Sequence, residues 1–158
     1  MKRFSILRWL MAGVVGSLSF WYFQVIFEDA TITQFMGEQI VTEGGYPTVL
    51  VPFIGWGVHL AVSLSYALLF ALIVAALPVE AGALLVSGLV LAALLGWLTA
   101  LLTSPAIAVT IGLLSGHGFP AELPGLNTEV GLPLYNHLLF FGVVWGFVTL
   151  LPVLRGKL

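Results

Sequence analysis

Long apolar runs separated by short polar connections dominate the chain. Four runs reach the length of a membrane span, because about 20 helical residues cross the ~30 Å hydrocarbon core of a bilayer. None alternates polar and apolar residues as the strands of a membrane barrel do, and a helix satisfies its own backbone polar groups in lipid. The sequence therefore predicts an all-α integral membrane protein with four transmembrane helices, at residues 4–27, 50–77, 82–104 and 132–154.

The connection between the first two spans contains a short apolar pattern of its own. Apolar residues recur there at helical spacing, at Ile32, Phe35, Met36, Ile40 and Val41. Thr31 with Gln34 matches a capping box, and Gly44-Gly45 supplies a stop. The pattern predicts a short amphipathic helix beside the bundle.

The connection after the third span begins inside an apolar stretch that is too long for one crossing. This stretch runs from Gly82 to Leu114, which as a single helix would be about 50 Å long. Pro105 removes a backbone donor and disfavours the helical conformation at Ser104, so the break is predicted there. Residues 106–114 would then form a second short helix that lies at the interface or re-enters the membrane.

The two halves of the chain, residues 1–78 and 79–158, share one order of elements. Each has a span, a short apolar helix, a glycine-containing loop and a second span, and His59 and His137 fall at corresponding places, each followed by leucine. This order is the basis for the hypothesis that the single membrane domain, residues 1–158, is a tandem repeat of two-helix units. Units with two spans keep one orientation, which predicts a pseudo-twofold axis along the membrane normal.

Composition and charge agree with a membrane domain and set its orientation. Hydrophobic residues make up 60% of the chain and charged residues 8%, against roughly a quarter charged in soluble domains. The basic residues lie near the two ends of the chain, at Lys2, Arg3, Arg8, Arg155 and Lys157. The positive-inside rule therefore predicts cytoplasmic termini and places both short helices on the outer side. The absence of a basic cluster in the interior argues against a nucleic-acid partner.

Small residues within the spans predict close helix packing. They recur at every fourth position of the third span, at Gly88, Ala92, Gly96 and Ala100, and again in the fourth span at Gly142 and Gly146. In lipid, such ridges let two helix backbones approach each other. Two interpretations stay open: packing inside the bundle, and docking against a membrane protein partner or a second copy of the chain.

Polar residues inside two spans are the candidate ligand-binding groups. His59, Ser63 and Tyr66 lie at i, i+4 and i+7, so they share one face of the second helix. His137 in the fourth span has Asn136 beside it. Ionisable groups within a span are costly and tend to face a bundle interior, a cavity or a ligand.

Three interpretations of the histidines remain. Each ring can make a structural hydrogen bond near the outer interface; His59 and His137 can be the axial ligands of a b-type haem; or they can form a quinone, proton or small-ligand site that also includes His117. A metal site of another kind would need carboxylates close to the rings, which the spacing does not supply. The lack of cysteine excludes thiolate ligands.

Catalytic signatures are missing from the sequence. It contains no Gly-x-Ser-x-Gly elbow, no phosphate-binding Gly-Lys-Ser/Thr loop and no His-Glu-x-x-His motif. The segment 137–146 and the small residues of the spans resemble small bacterial inner-membrane proteins in a general way, which implies that location and no specific activity. The leading expectation is a non-enzymatic accessory or scaffold subunit of a membrane assembly; the alternatives are a haem- or quinone-binding redox protein and a small transporter or channel.

Overall fold

The computed structural model describes residues 5–156. The predicted start of the first span at Phe4, and three of the basic residues used for the orientation (Lys2, Arg3 and Lys157), lie outside the described residues. Within the described range the chain consists of helices and the segments that connect them, without strands.

Four helices are long and apolar enough to cross a membrane, which confirms the predicted fold class. In chain order the helices are α1 (Ile6–Phe27), α2 (Ile32–Gly44), α3 (Val51–Ala76), α4 (Ala81–Leu101), α5 (Thr103–Leu114), α6 (Leu132–Trp145) and α7 (Leu151–Leu154). A 3-10 turn at Thr48–Leu50 leads into α3, and a π-helical turn at Gly146–Leu150 joins α6 to α7 as one continuous span. The spans are therefore α1, α3, α4 and the α6–α7 unit.

The short helix α2 begins and ends at its capping residues. The Thr31 side chain accepts a hydrogen bond from the backbone N–H of Gln34 (3.3 Å), and Gly45 ends the helix in the left-handed conformation at φ 63°. The helix then lies directly on α3, because Gly37 and Gly55 have no side chain at the crossing. A Cβ at Gly55 would overlap the carbonyl oxygen of Thr33.

In the long apolar stretch, the third span ends at Leu101, three residues before its predicted end at Ser104. The break is at Leu102, between α4 and α5, and Ser104 is helical rather than extended. Pro105 lies in the first turn of α5, where a missing backbone N–H leaves no helical hydrogen bond unmade. The prediction of a break was right and its position was wrong.

Helix α1 packs against both α3 and α6, and α4 packs along α6. Two tryptophans join these pairs: the Trp9 indole donates to the Leu64 carbonyl (2.9 Å, α1 to α3), and the Trp145 indole donates to the Leu85 carbonyl (3.2 Å, α6 to α4). By contrast, α3 and α4 make few contacts although only residues 77–80 connect them.

The packing of the two halves is unequal. Helix α2 lies along α3, whereas its counterpart α5 packs against α2 and not along α6. Likewise α1 packs closely on α6, whereas the corresponding pair of α4 and α3 stays apart. The tandem repeat and the re-entrant position of the short helices therefore stay predictions.

Candidate functional site

A cavity of about 220 Å³ lies in the half of the bundle that carries α2 and α5. All six helices from α1 to α6 contribute to its wall, and it occupies the region where α3 and α4 separate. Most of the wall is aliphatic and aromatic, with polar groups at a few positions. Small-molecule sites in proteins have this character.

One wall of the cavity is the polar face of α3. His59, Ser63 and Tyr66 all line it. The Nε2 atom of His59 is 3.0 Å from the backbone carbonyl oxygen of Ser17 on α1. Because a carbonyl oxygen only accepts, Nε2 carries the proton in the neutral ring and donates it. The lone pair of His59 is therefore on Nδ1, which has no hydrogen-bond partner within residues 5–156.

The facing wall carries His137 of α6. Its Nδ1 is 2.7 Å from the Pro133 carbonyl oxygen, so Nδ1 is the donor and the lone pair lies on Nε2. This Nε2 lies 3.4 Å from the Thr103 hydroxyl oxygen, whose hydrogen is donated to the Thr99 carbonyl at the shorter distance of 2.9 Å. Each cavity histidine thus has one nitrogen fixed by a backbone carbonyl and one nitrogen whose lone pair is weakly engaged or free.

Asn136 lies in the same wall and is completely buried. Its Nδ2 donates to the Phe20 carbonyl oxygen of α1 (3.2 Å), and among the described residues its Oδ1 has no partner. The amide orientation follows from chemistry, since only the nitrogen can donate to a carbonyl. An unpartnered buried amide oxygen costs about 1–3 kcal/mol.

The side chain of Phe20 contacts both imidazoles. Its ring centroid is 5.5 Å from that of His59 and 5.2 Å from that of His137, the second in an edge-to-face arrangement. A bis-histidine haem needs the space between two imidazoles and a free metal-binding nitrogen on each. The Phe20 ring packs against both imidazoles, and His59 offers Nδ1 because its Nε2 is bound to Ser17. The arrangement does not fit a b-type haem.

Two cavity residues at the end of α1 were not predicted. The Gln24 side chain donates to Glu28 Oε2 (2.8 Å) and accepts from the backbone N–H of Ile32 (2.9 Å), which ties α1 to the start of α2. The second carboxylate oxygen, Glu28 Oε1, is buried without a partner among the described residues. The i, i+4 spacing of Gln24 and Glu28 at the end of an apolar run is the sequence signal that could have indicated this pair.

The third candidate histidine lies elsewhere. His117 is in the loop after α5, where its Nδ1 is 2.9 Å from the Ser115 hydroxyl and 3.9 Å from a carboxylate oxygen of Glu43. It lines a separate, open surface groove and does not reach the cavity. Within residues 5–156, no group of three or more His, Cys, Asp or Glu side chains is placed to hold a metal ion.

The ridge of small residues on α4 lies inside the molecule. Gly88, Ala92, Gly96 and Ala100 are all buried. A Cβ at Gly96 would meet the side chain of Leu138 at 2.9 Å, so α4 and α6 touch here almost backbone to backbone. A Cβ at Gly142 or at Gly146 of the other span would meet no described heavy atom within 4 Å, so these two positions border open space.

Comparison of the chain with protein families, with characterised proteins and with solved structures finds no match.

Proposed function

We propose that this membrane protein binds one small, largely apolar molecule in the cavity between α3 and α6. The observation that supports this most directly is the convergence of His59, Ser63, Tyr66, Asn136 and His137 on one cavity of about 220 Å³. The volume lies below the ~300–1,000 Å³ of sites for drug-sized ligands, so it suits a single ring or a similar headgroup.

The route into the cavity supports a lipid-soluble ligand. Val62 of α3 and Ala106 of α5 line the cavity and are also exposed at the surface of the bundle, Val62 to 40%. These two residues place the opening between α3 and α5. Val62 is ~16 Å along α3 from its start at Val51, which lies within a span. A ligand would enter sideways from the bilayer.

We also propose a location for the site in the cell. The clustering of basic residues at the chain ends supports cytoplasmic termini in a bacterial-type inner membrane. The cavity would then lie in the outer half of the bilayer, on the side away from the cytoplasm.

A pair of serine variants on one helix tests the proposal. Ser63→Leu puts an isobutyl group into the cavity, whereas Ser65→Leu adds the same group at an exposed position two residues away. Small molecules that co-purify from native membranes are extracted and quantified by mass spectrometry per mole of protein. We expect one compound to be retained by the wild-type protein and by Ser65→Leu and to be lost from Ser63→Leu. Equal retention by all three proteins would exclude the cavity as its site.

A second candidate function is association with another membrane protein or with a second copy of the chain. It is favoured by Gly142 and Gly146, a pair of small residues that no part of residues 5–156 covers. We expect purification in mild detergent to yield an oligomer or a complex that the double variant Gly142→Leu/Gly146→Leu disrupts. A wild-type protein that purifies as a monomer without partners would count against association. It would not bear on the proposal of ligand binding.

A further inference from the structure

The hydrogen-bonding groups of the cavity are unbalanced between donors and acceptors. The lone pairs of His59 Nδ1 and His137 Nε2 are both acceptors, because the other nitrogen of each ring donates to a backbone carbonyl. Two residues of the wall carry further acceptors with no partner in the described part of the chain, Glu28 Oε1 and Asn136 Oδ1, although each oxygen is itself buried with almost no accessible surface.

Three threonines of the wall add to this excess. The hydroxyl of Thr99 donates to the Leu95 carbonyl (2.7 Å), and each of the other two likewise donates to the carbonyl four residues earlier: Thr103 (2.9 Å) and Thr110 (2.8 Å). A hydroxyl has a single hydrogen, so each threonine oxygen has only lone pairs left for another group. These three residues are therefore acceptors for a ligand.

Donors are fewer. Among the polar cavity residues, the Ser63 and Tyr66 hydroxyls have hydrogens that no partner within residues 5–156 takes up. The side-chain amides of Gln24 and Asn136 each donate one hydrogen, to Glu28 and to Phe20, and each keeps a second N–H. The wall therefore has more acceptors than donors without a partner, and a ligand that brings hydrogens matches it better than one that brings only acceptors.

We infer that the ligand is a neutral hydroxyl compound of the phenol or hydroquinone class, and that the cavity binds a hydroquinone in preference to the corresponding quinone. The inference rests on the proposed function and specifies its ligand. The two redox forms have nearly the same shape, but a hydroquinone has two O–H donors and a quinone has only carbonyl acceptors. A quinone would face the lone pairs of His59 and His137 without a hydrogen between them.

The surroundings of the cavity favour a neutral donor over an ammonium group. The lateral opening at Val62 and Ala106 admits molecules from the hydrocarbon core, where a charged group is costly. The Phe20 ring packs edge-to-face with His137, and Trp56 packs edge-to-face on His59 at 5.8 Å, so the two imidazoles lie in an aromatic environment suited to a ring.

Binding of a matched pair of probes, with a cation for comparison, tests the inference on the full chain in lipid nanodiscs. The probes are tetramethyl-1,4-hydroquinone, tetramethyl-1,4-benzoquinone and benzylammonium, measured anaerobically by equilibrium dialysis against empty nanodiscs. We expect the hydroquinone to bind about tenfold more tightly than the quinone, as one or two additional hydrogen bonds would give. The variant His137→Phe removes one acceptor and keeps a ring, so it should reduce this preference severalfold. His117→Phe makes the same change outside the cavity and should leave the preference intact.

The other outcomes overturn the inference in distinguishable ways. Equal or tighter binding of the quinone would refute donor recognition while leaving the proposed ligand site in place. Tightest binding of benzylammonium would replace the hydroxyl class by a cation. Binding of none of the three probes, combined with the absence of any co-purified molecule, would remove the proposed function as well. The wild-type comparison decides between these outcomes even where His137→Phe does not fold.

Discussion

At the scale of residues, two backbone carbonyls of α1 hold the neighbouring spans. The Ser17 carbonyl oxygen accepts from His59 of α3, and the Phe20 carbonyl oxygen accepts from Asn136 of α6. In lipid, where water does not compete, interhelical hydrogen bonds of this kind contribute about 0.5–2 kcal/mol each. The polar side chains that line the cavity therefore also fix the helices that form it.

One buried hydroxyl group makes no hydrogen bond of this kind. Thr149, in the π-helical turn, is fully buried, and its Oγ1 has no partner among the described residues. Thr149→Val keeps the shape and removes the unpaired hydroxyl, so we expect the free energy of unfolding to rise by about 1 kcal/mol. Thermal unfolding in detergent measures the change, and Thr99→Val is the matched control because its hydroxyl is bonded to Leu95. A lower melting temperature for Thr149→Val than for the wild type would contradict the assignment.

Helical spacing is what made part of the site predictable at this scale. Residues at i, i+4 and i+7 must share a face, so His59, Ser63 and Tyr66 were grouped correctly as one surface of α3. His117 lies in a loop, where the spacing of residues does not determine which way a side chain points. The structure places it outside the cavity. Glu28 lies one residue beyond the predicted first span, and the structure places it in the cavity wall.

At the scale of elements, the position of α2 depends on two glycines that let it touch α3. A Cβ at Gly37 would overlap the Val51 carbonyl oxygen, and one at Gly55 would overlap that of Thr33. Since both neighbours are backbone atoms, neither can rotate away. The helix must move as a whole if either glycine gains a side chain.

The variant Gly55→Ala tests this contact. We expect it to lift α2, which would expose the buried position of Ile40, and Ile40→Cys would then react with a maleimide reagent. The wild-type chain has no cysteine, so labelling reports that position alone. Gly57→Ala is the control, because no described atom lies within 4 Å of where its Cβ would stand, and it should leave labelling slow. Equal labelling rates in the two variants would show that α2 does not need this contact.

The contact of α4 with α6 gives a second prediction for an element. Gly96→Ala places a methyl group 3.2 Å from the Leu138 Cα and 2.9 Å from its side chain. We expect a loss of stability of about 1–3 kcal/mol, as for other overpacked cores. The methyl group that Gly142→Ala adds on the facing span has no described atom within 4 Å. This variant should therefore leave the stability unchanged or raise it slightly, since alanine is the better helix former. The melting temperatures of the two variants in one detergent provide the test.

Helix ends were predictable where the chain carries a capping signal. Thr31 and Gly45 bound α2 at the positions that the sequence indicates. The break before α5 was misplaced because proline was treated as the stop, whereas it is well suited to the first turn of the next helix. The residues around Leu102 carry no such signal.

At the scale of the whole molecule, apolar length predicted four spans but not their order in space. The short link at residues 77–80 makes α3 and α4 antiparallel, and yet these two helices separate instead of packing as a hairpin. Their separation leaves the cavity. Which helices pair depends on side-chain fit between distant parts of the chain, for which a single sequence offers no periodic signal.

Topology is tested with single cysteines in the cysteine-free chain. We expect Glu122→Cys, in the connection between α5 and α6, to react with a membrane-impermeant maleimide in intact cells. Glu80→Cys, in the link between α3 and α4, should react only after permeabilisation, because the positive-inside rule places it in the cytoplasm. The reverse pattern would put the termini and the link outside and would move the cavity to the cytoplasmic half.

The position of α1 between α3 and α6 has a consequence for biosynthesis. Chains are made from the N-terminus, so α1 enters the membrane before either of the spans that bond to its carbonyls exists. The α3 span can join it while the ribosome is still at work, but His137 and Asn136 arrive only with α6. The cavity is therefore the last part of the molecule to be completed, and a nascent chain that stalls before α6 is inserted would have α1 packed on α3 but no closed cavity.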